Sequence, residues 1–228
     1  MAKNKLKKNQ FLIIVVTVVV TLVLLLALLR CCHVILCVGD SYKLCFSTTY
    51  RVSGYLSDGM HDINDDNISE IRYMKNLKHF SAMYTNLTNI DFITNFKKLE
   101  SLSYCLDSNQ PQNIVKSIPK LENCHDLMYI YLYGVGVEDL NFLSDCTNLK
   151  YLTVVTHDSE ITDISGLKNK QILKIVQLRN VNCSDYSVLL ELPSLEYLDL
   201  YNSEIPIEIK NELLNKNVKI NESGAIKP

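Results

Sequence analysis

Leu195-Glu-Tyr-Leu198-Asp-Leu200-Tyr-Asn-Ser-Glu-Ile205 is the stretch whose reading decides the fold. It has the form L-x-x-L-x-L-x-x-S-x-I, and looser versions begin at Leu77, Leu99, Leu127, Leu149 and Leu173. The starts lie 22, 28, 22, 24 and 22 residues apart, so the period is 22 and two units carry inserts of 6 and 2. A unit of this length opening on a short L-x-L strand cannot bury its own apolar face. Such units must stack and share one interior.

With each unit numbered from its first Leu, a stacked coil turns positions 1, 4, 6, 11, 14, 17 and 20 inward. The five units starting at Leu77, Leu99, Leu127, Leu149 and Leu173 place apolar residues at 34 of these 35 positions. At the chain's 47% apolar content, chance supplies about 16. The exception is Lys170 at position 20, expected to snorkel its amine to the edge of the coil. The expected fold is α/β, a leucine-rich-repeat solenoid of about six coils. It has a parallel concave sheet and a convex side of short helices or turns, behind one N-terminal transmembrane helix. Each coil supplies a strand around positions 3 to 7, and at about 4.8 Å per strand six of them make a sheet nearly 30 Å wide.

Ile161-Thr-Asp-Ile-Ser-Gly-Leu167, taken with the period of 22, resembles the repeats of internalin-like bacterial leucine-rich-repeat proteins. In that family I-T-D-I-S-x-L forms the turn onto the convex side, and the resemblance covers roughly residues 68 to 220. It implies a binding scaffold and leaves the target open, because members bind many things. The family's position 9 is usually Asn, whose amide caps the turn after each strand. Here it is Thr85, Asp107, Val135, His157, Val181 and Ser203. Turn backbone groups are therefore expected to find other partners in a less regular coil.

Ahead of the repeats, Lys3, Lys5, Lys7 and Lys8 precede an uncharged run from Phe11 to Leu29. Nineteen residues make a helix of about 28 Å, enough to cross the hydrocarbon of a bilayer. A cleaved secretory signal is the rival reading, with a lipidated Cys behind it. Signal apolar stretches are shorter and end in small residues, whereas this one ends Leu28-Leu29-Arg30-Cys31. The lysine bias puts the N-terminus in the cytoplasm and the repeats outside, in a single-pass protein of the cell membrane. The chain thus divides into a basic cytoplasmic segment, 1–10; a transmembrane signal anchor, 11–38, with Val34 to Val38 as the frayed outer end of the helix; a linker and N-terminal cap, 39–67; the repeat domain, 68–220; and a tail, 221–228. Within the cap, alternation from Leu44 to Val52 reads as a strand. At the far end, Ile207 to Asn215 has helical spacing, and Val218 with Ile220 suits a closing strand.

Between core positions, strand residues 3, 5 and 7 face outward as columns. Column 3 is His79, Ser101, Tyr129, Tyr151, Ile175 and Tyr197. Column 5 is Ser81, Ser103, Tyr131, Thr153, Gln177 and Asp199; column 7 is Met83, Cys105, Tyr133, Val155, Arg179 and Tyr201. Tyr and Arg are enriched at interface hot spots because they bury much area and keep a polar tip. The expected partner-binding residues are Tyr129, Tyr131, Tyr133, Tyr151, Arg179, Tyr197 and Tyr201, for a protein or peptide ligand. Aromatic cross-strand packing is the competing explanation for such columns. The second expected partner is the lipid bilayer, through residues 11–29.

Composition narrows the remaining classes. Net charge is −2 with charges spread along the chain, which argues against a nucleic-acid surface. No two His stand at metal-ligand spacing, no C-x-x-C occurs, and neither G-x-S-x-G nor a glycine-rich phosphate loop is present. Asp62-Ile-Asn64-Asp-Asp66 opens like a calcium loop but continues with Asn67 for Gly and ends on Tyr73 for Glu. Neither catalysis nor a cofactor is expected. Cys124 and Cys146 fall at position 20 and Cys183 at position 11, so all three read as small buried hydrophobes, with a Cys124–Cys146 disulfide as the alternative. Asn67, Asn86, Asn182 and Asn221 begin glycan acceptor triplets, relevant only in a glycosylating host.

Overall fold

The computed structural model describes residues 13–26, 35–38, 41–44, 51–55, 65, 68, 71, 74–106, 112, 114–122 and 124–222. Residues 13–26 are helical (α1), a described span of about 21 Å, with every residue exposed. Among the described residues no helix is long and apolar enough to cross a membrane. The expected anchor runs past α1 at both ends, outside the described residues. Strand β1 (Ile35–Val38) pairs antiparallel with β2 (Ser41–Leu44), Ile35 opposite Leu44 and Val38 opposite Ser41. This corrects the expectation that 34–38 continue the membrane helix. Ile35, Val38 and Tyr42 are strand formers.

The repeats build one eight-stranded parallel sheet in sequence order: β3 (Arg51–Tyr55), β4 (His79–Thr85), β5 (Ser101–Leu106), β6 (Tyr129–Val135), β7 (Tyr151–Thr156), β8 (Ile175–Arg179), β9 (Tyr197–Tyr201) and β10 (Lys219–Asn221). Six coils supply β4 to β9. Strand β3 lies ahead of them as the cap, and β10 closes the far end beside helix α2 (Ile207–Asn215). His79, Ser101, Tyr129, Tyr151, Ile175, Tyr197 and Lys219 stand side by side, and the register slips only past the strand cores, between Met83 and Thr85 against β5 and between Tyr133 and Val135 against β7. Of the calcium-like run only Asp65 is described, and its carboxylate accepts from the Thr88 N–H at 3.2 Å and from the Thr88 hydroxyl.

The shared interior is the one read from the period. Of the 35 inward positions 33 are buried, and Ile118 and Cys183 are half-buried. Each fully buried Leu contributes about 2 kcal/mol over an exposed one, so the stack is held mainly along this seam. Lys170 departs from expectation. It is fully buried, and its ammonium donates to the carbonyls of Ser144 at 3.0 Å and Lys168 at 3.4 Å rather than reaching the coil edge. Burial holds its pKa below the usual lysine value. Cys124 and Cys146 are buried free thiols, and burial pushes Cys146 up to about 12.

The corners after the strands show why Asn is dispensable at position 9. In four coils position 8 adopts a left-handed backbone: Tyr84 (φ 56°), Gly134 (φ 76°), Asn180 (φ 58°) and Asn202 (φ 50°). In the fourth coil, where a two-residue insert follows Thr156, the left-handed residue is Asp158 (φ 56°). Position 9 turns inward, so Thr85, Val135, Val181 and Ser203 are buried. The amide ladder shifts back one residue: Asn202 Nδ2 donates to Asn180 Oδ1 at 2.8 Å, and Asn180 Nδ2 to Thr156 Oγ1 at 3.1 Å. Ser203 Oγ accepts from the Val181 N–H at 2.8 Å.

Convex turns are fastened within each coil. Asn89, Asp139, Asp163 and Asp185, all at position 13, accept from the backbone N–H two residues on at 2.6, 2.8, 2.7 and 2.8 Å. Short 3₁₀ turns follow at Asp91–Asn95, Asn141–Leu143, Ser165–Leu167 and Ser187–Glu191. Hydrogen bonds from Ser165 hold the Asp163 carboxyl below the usual range. The second coil has no such turn. Pro119 occupies the position where the others start, and a proline disfavours the near-helical backbone that Ile90, Leu140, Ile164 and Tyr186 adopt just before it.

Candidate binding face

Side chains alternate along a strand, so Tyr129, Tyr131 and Tyr133 leave β6 on one face about 6.6 Å apart. Their neighbours across the ladder are Tyr151 beside Tyr129, Thr153 beside Tyr131 and Val155 beside Tyr133. Tyr129, Tyr131, Tyr133 and Tyr201 are 45%, 37%, 39% and 40% exposed, while Tyr151, Tyr197 and Arg179 are half-buried. All seven expected residues therefore lie on one sheet face. Tyr129 and Tyr151 stack with centroids 4.9 Å apart and planes 5° from parallel. The Arg179 guanidinium lies 4.1 Å over the Tyr201 ring, a cation–π contact worth about 0.5–1 kcal/mol at an exposed site.

The face has two chemically different halves. Toward the C-terminus, column 5 is a closed polar chain. Thr153 Oγ1 donates to Gln177 Oε1 at 2.9 Å, Gln177 Nε2 to Asp199 Oδ2 at 3.3 Å, and Asn221 Nδ2 to Asp199 Oδ1 at 3.0 Å. In the middle, the hydroxyls of Tyr129, Tyr131, Tyr133 and Tyr151 make no hydrogen bond to the described residues. Burial, with Cys105, Tyr133 and Tyr84 close by, raises the Tyr131 phenol, so at neutral pH it is a donor. Arg179 Nε is buried and has no hydrogen-bond partner among the described residues.

Two members of the face escape a reading by columns. Tyr84 is 40% exposed and reaches the surroundings of Tyr131 from its corner at position 8, which no alternation along a strand indicates. Asn221 enters through the closing strand β10. Cys105 stands in column 7, yet it is buried, and its thiol meets the Leu106 carbonyl at 3.6 Å. Among the described residues no three His, Cys, Asp or Glu side chains converge as metal ligands.

No protein-family model matches the chain, and no curated protein matches it. Among solved structures, an internalin (InlF) from Listeria monocytogenes matches with a TM-score of 0.50 at 22% identity, over 72% of this chain and 52% of that one. The chain thus spans about half the length of that internalin. Internalin C2 from the same organism matches with a TM-score of 0.51 at 19% identity, over 79% of this chain and 80% of that one. By fold, the chain is a leucine-rich-repeat solenoid similar to that of the internalins.

Proposed function

We propose that this protein is a membrane-anchored binding module that recognises a protein or peptide through the tyrosine-bearing face of its sheet, with the repeats outside the cytoplasm. One observation carries the binding reading: four neighbouring tyrosines of β6 and β7 keep their hydroxyls unspent while the adjoining polar column is internally satisfied. Rings that only packed against each other would not leave a row of free donors at 37–45% exposure across β6. Replacing Tyr131 and Tyr133 together by alanine is expected to weaken capture of a surface partner from the native host by about 100-fold or more, two hot-spot truncations at about 2 kcal/mol each being enough. Circular dichroism should stay unchanged. Undiminished capture would reduce the patch to packing.

Anchoring rests on the apolar run 11–29 and the four lysines before it. It competes with release as a secreted effector or inhibitor after signal cleavage. N-terminal sequencing of the mature protein is expected to find the start upstream of Phe11. A species beginning beyond Leu29 would end the anchored version. Self-association of the repeats is the remaining alternative, and light scattering separates it from partner binding.

A further inference from the structure

Coils three to five are zipped along their flanks by backbone. Asp139 bridges Asp163 and Ile161 bridges Val181, with the Leu140 N–H donating to the Asp163 carbonyl at 3.0 Å and the Thr162 N–H to the Glu138 carbonyl at 2.8 Å. Between the second and third coils this zip parts after Val115, which still bridges Val135. Ser117, the counterpart of Asp139 and Asp163, has no bridge. The backbone N–H and C=O groups of Lys116, Ser117 and Ile118 make no hydrogen bond to any described residue. The parting opens a cleft of about 720 Å³ between this stretch and residues 136–144 of the third coil, with His157 to Ser159 at its end.

The cause is local. Pro119 bars the convex turn that would fold this segment back, and Ser117 replaces the carboxylate or amide that caps that turn in four other coils. What remains is a segment outside any helix or strand, beside an apolar floor of half-buried Ile114 and Ile118 and buried Phe142. The rim carries Lys116 on one wall and Glu138 on the other, both exposed and neither in an ion pair among the described residues.

We propose that this cleft is a second recognition site, which takes an extended peptide segment of a partner protein as an added strand. The free donors and acceptors of Lys116 to Ile118 pair with the peptide backbone, as an open sheet edge does. An apolar side chain of the peptide sits over Ile118 and Phe142, an acidic residue meets Lys116 and a basic one meets Glu138. The volume is that of a small-ligand site and admits a few residues in strand form. The site is separate from the tyrosine face, and either can fail without the other.

A random heptapeptide library displayed on phage, panned against the full chain, tests this. Enriched peptides are expected to bind equally well to Tyr131→Ala/Tyr133→Ala, and at least 10-fold more weakly to Ser117→Asp/Pro119→Ser, which restores the cap and frees the turn to close the cleft. Lys116→Glu is expected to replace the acidic preference by a basic one. If the closing variant fails to fold, hydrogen exchange on the wild-type chain decides: amides of Lys116 to Ile118 exchange fast when free and are protected by an enriched peptide. Slow exchange of those amides in the free chain overturns the proposal. So does a library in which every enriched peptide depends on the tyrosines.

Discussion

Gly166→Ala is expected to lower the unfolding free energy by about 3–5 kcal/mol, a midpoint drop of roughly 10 °C for a domain of this size, read by thermal or urea denaturation. A Cβ at Gly166 would stand 1.9 Å from the Leu140 carbonyl oxygen and 2.4 Å from its carbon. Both are backbone of the preceding coil, so no rotamer change relieves the clash. The third and fourth coils would have to separate along the flank where Asp139 bridges Asp163. Gly134→Ala is expected to cost less, about 2–3 kcal/mol, since its Cβ would lie 2.5 Å from the Leu106 Cβ and its φ of +76° strains any side chain. Gly136→Ala is tight only against the Ile114 Cγ2 methyl at 3.1 Å, with the Lys116 Cα at an ordinary 3.4 Å, and should cost under about 1 kcal/mol. An order of effects in which Gly136 outweighs Gly166 would contradict the stacking described.

Stability is also expected to fall steeply from about pH 9 to 12. Burial pushes the Cys146 thiol from 9.0 to about 12 and the Tyr186 phenol from 10.0 to about 12, and raises Cys124 and Tyr104 as well. Each is an acid whose folded pKa lies above its unfolded value. Between the two values the native chain keeps a proton that the unfolded chain has released, so unfolding becomes easier as pH rises. Three pH units at Cys146 correspond to about 4 kcal/mol at pH 12, a large share of a typical domain's 5–15 kcal/mol. Lys170 works in the opposite sense: its lowered pKa adds stability as pH climbs toward 10.5, one base offsetting part of what these acids remove. Urea titrations across this range should show Cys146→Ala with a flatter pH dependence than the parent. An identical slope would mean that the thiol is not buried as described.

The interior was legible in the primary structure because it is a matter of period alone, and the same holds for helix Ile207–Asn215 and the strand after it. Features that depend on a neighbouring coil were not. Lys170 is satisfied by the Ser144 carbonyl, 26 positions earlier, and nothing beside Lys170 in the chain announces that acceptor. Cys105 occupies an outward column yet is covered, and Tyr84 joins the face because its corner, rather than its strand, aims it there. The hairpin of Ile35–Val38 with Ser41–Leu44 was obscured by its continuity with an apolar run, where hydrophobicity speaks louder than strand propensity. Pro119 was readable from the start. Its effect became visible only against four coils that make the turn it prevents.

The caps at Asn89, Asp139, Asp163 and Asp185 each hold a group two residues away, inside their own coil. A gene segment encoding one such unit therefore travels with its own fastening. Duplication or loss of a whole unit would lengthen or shorten the molecule by one rung without orphaning a cap elsewhere, so the reach of the binding surface is open to evolutionary adjustment in steps of about 4.8 Å.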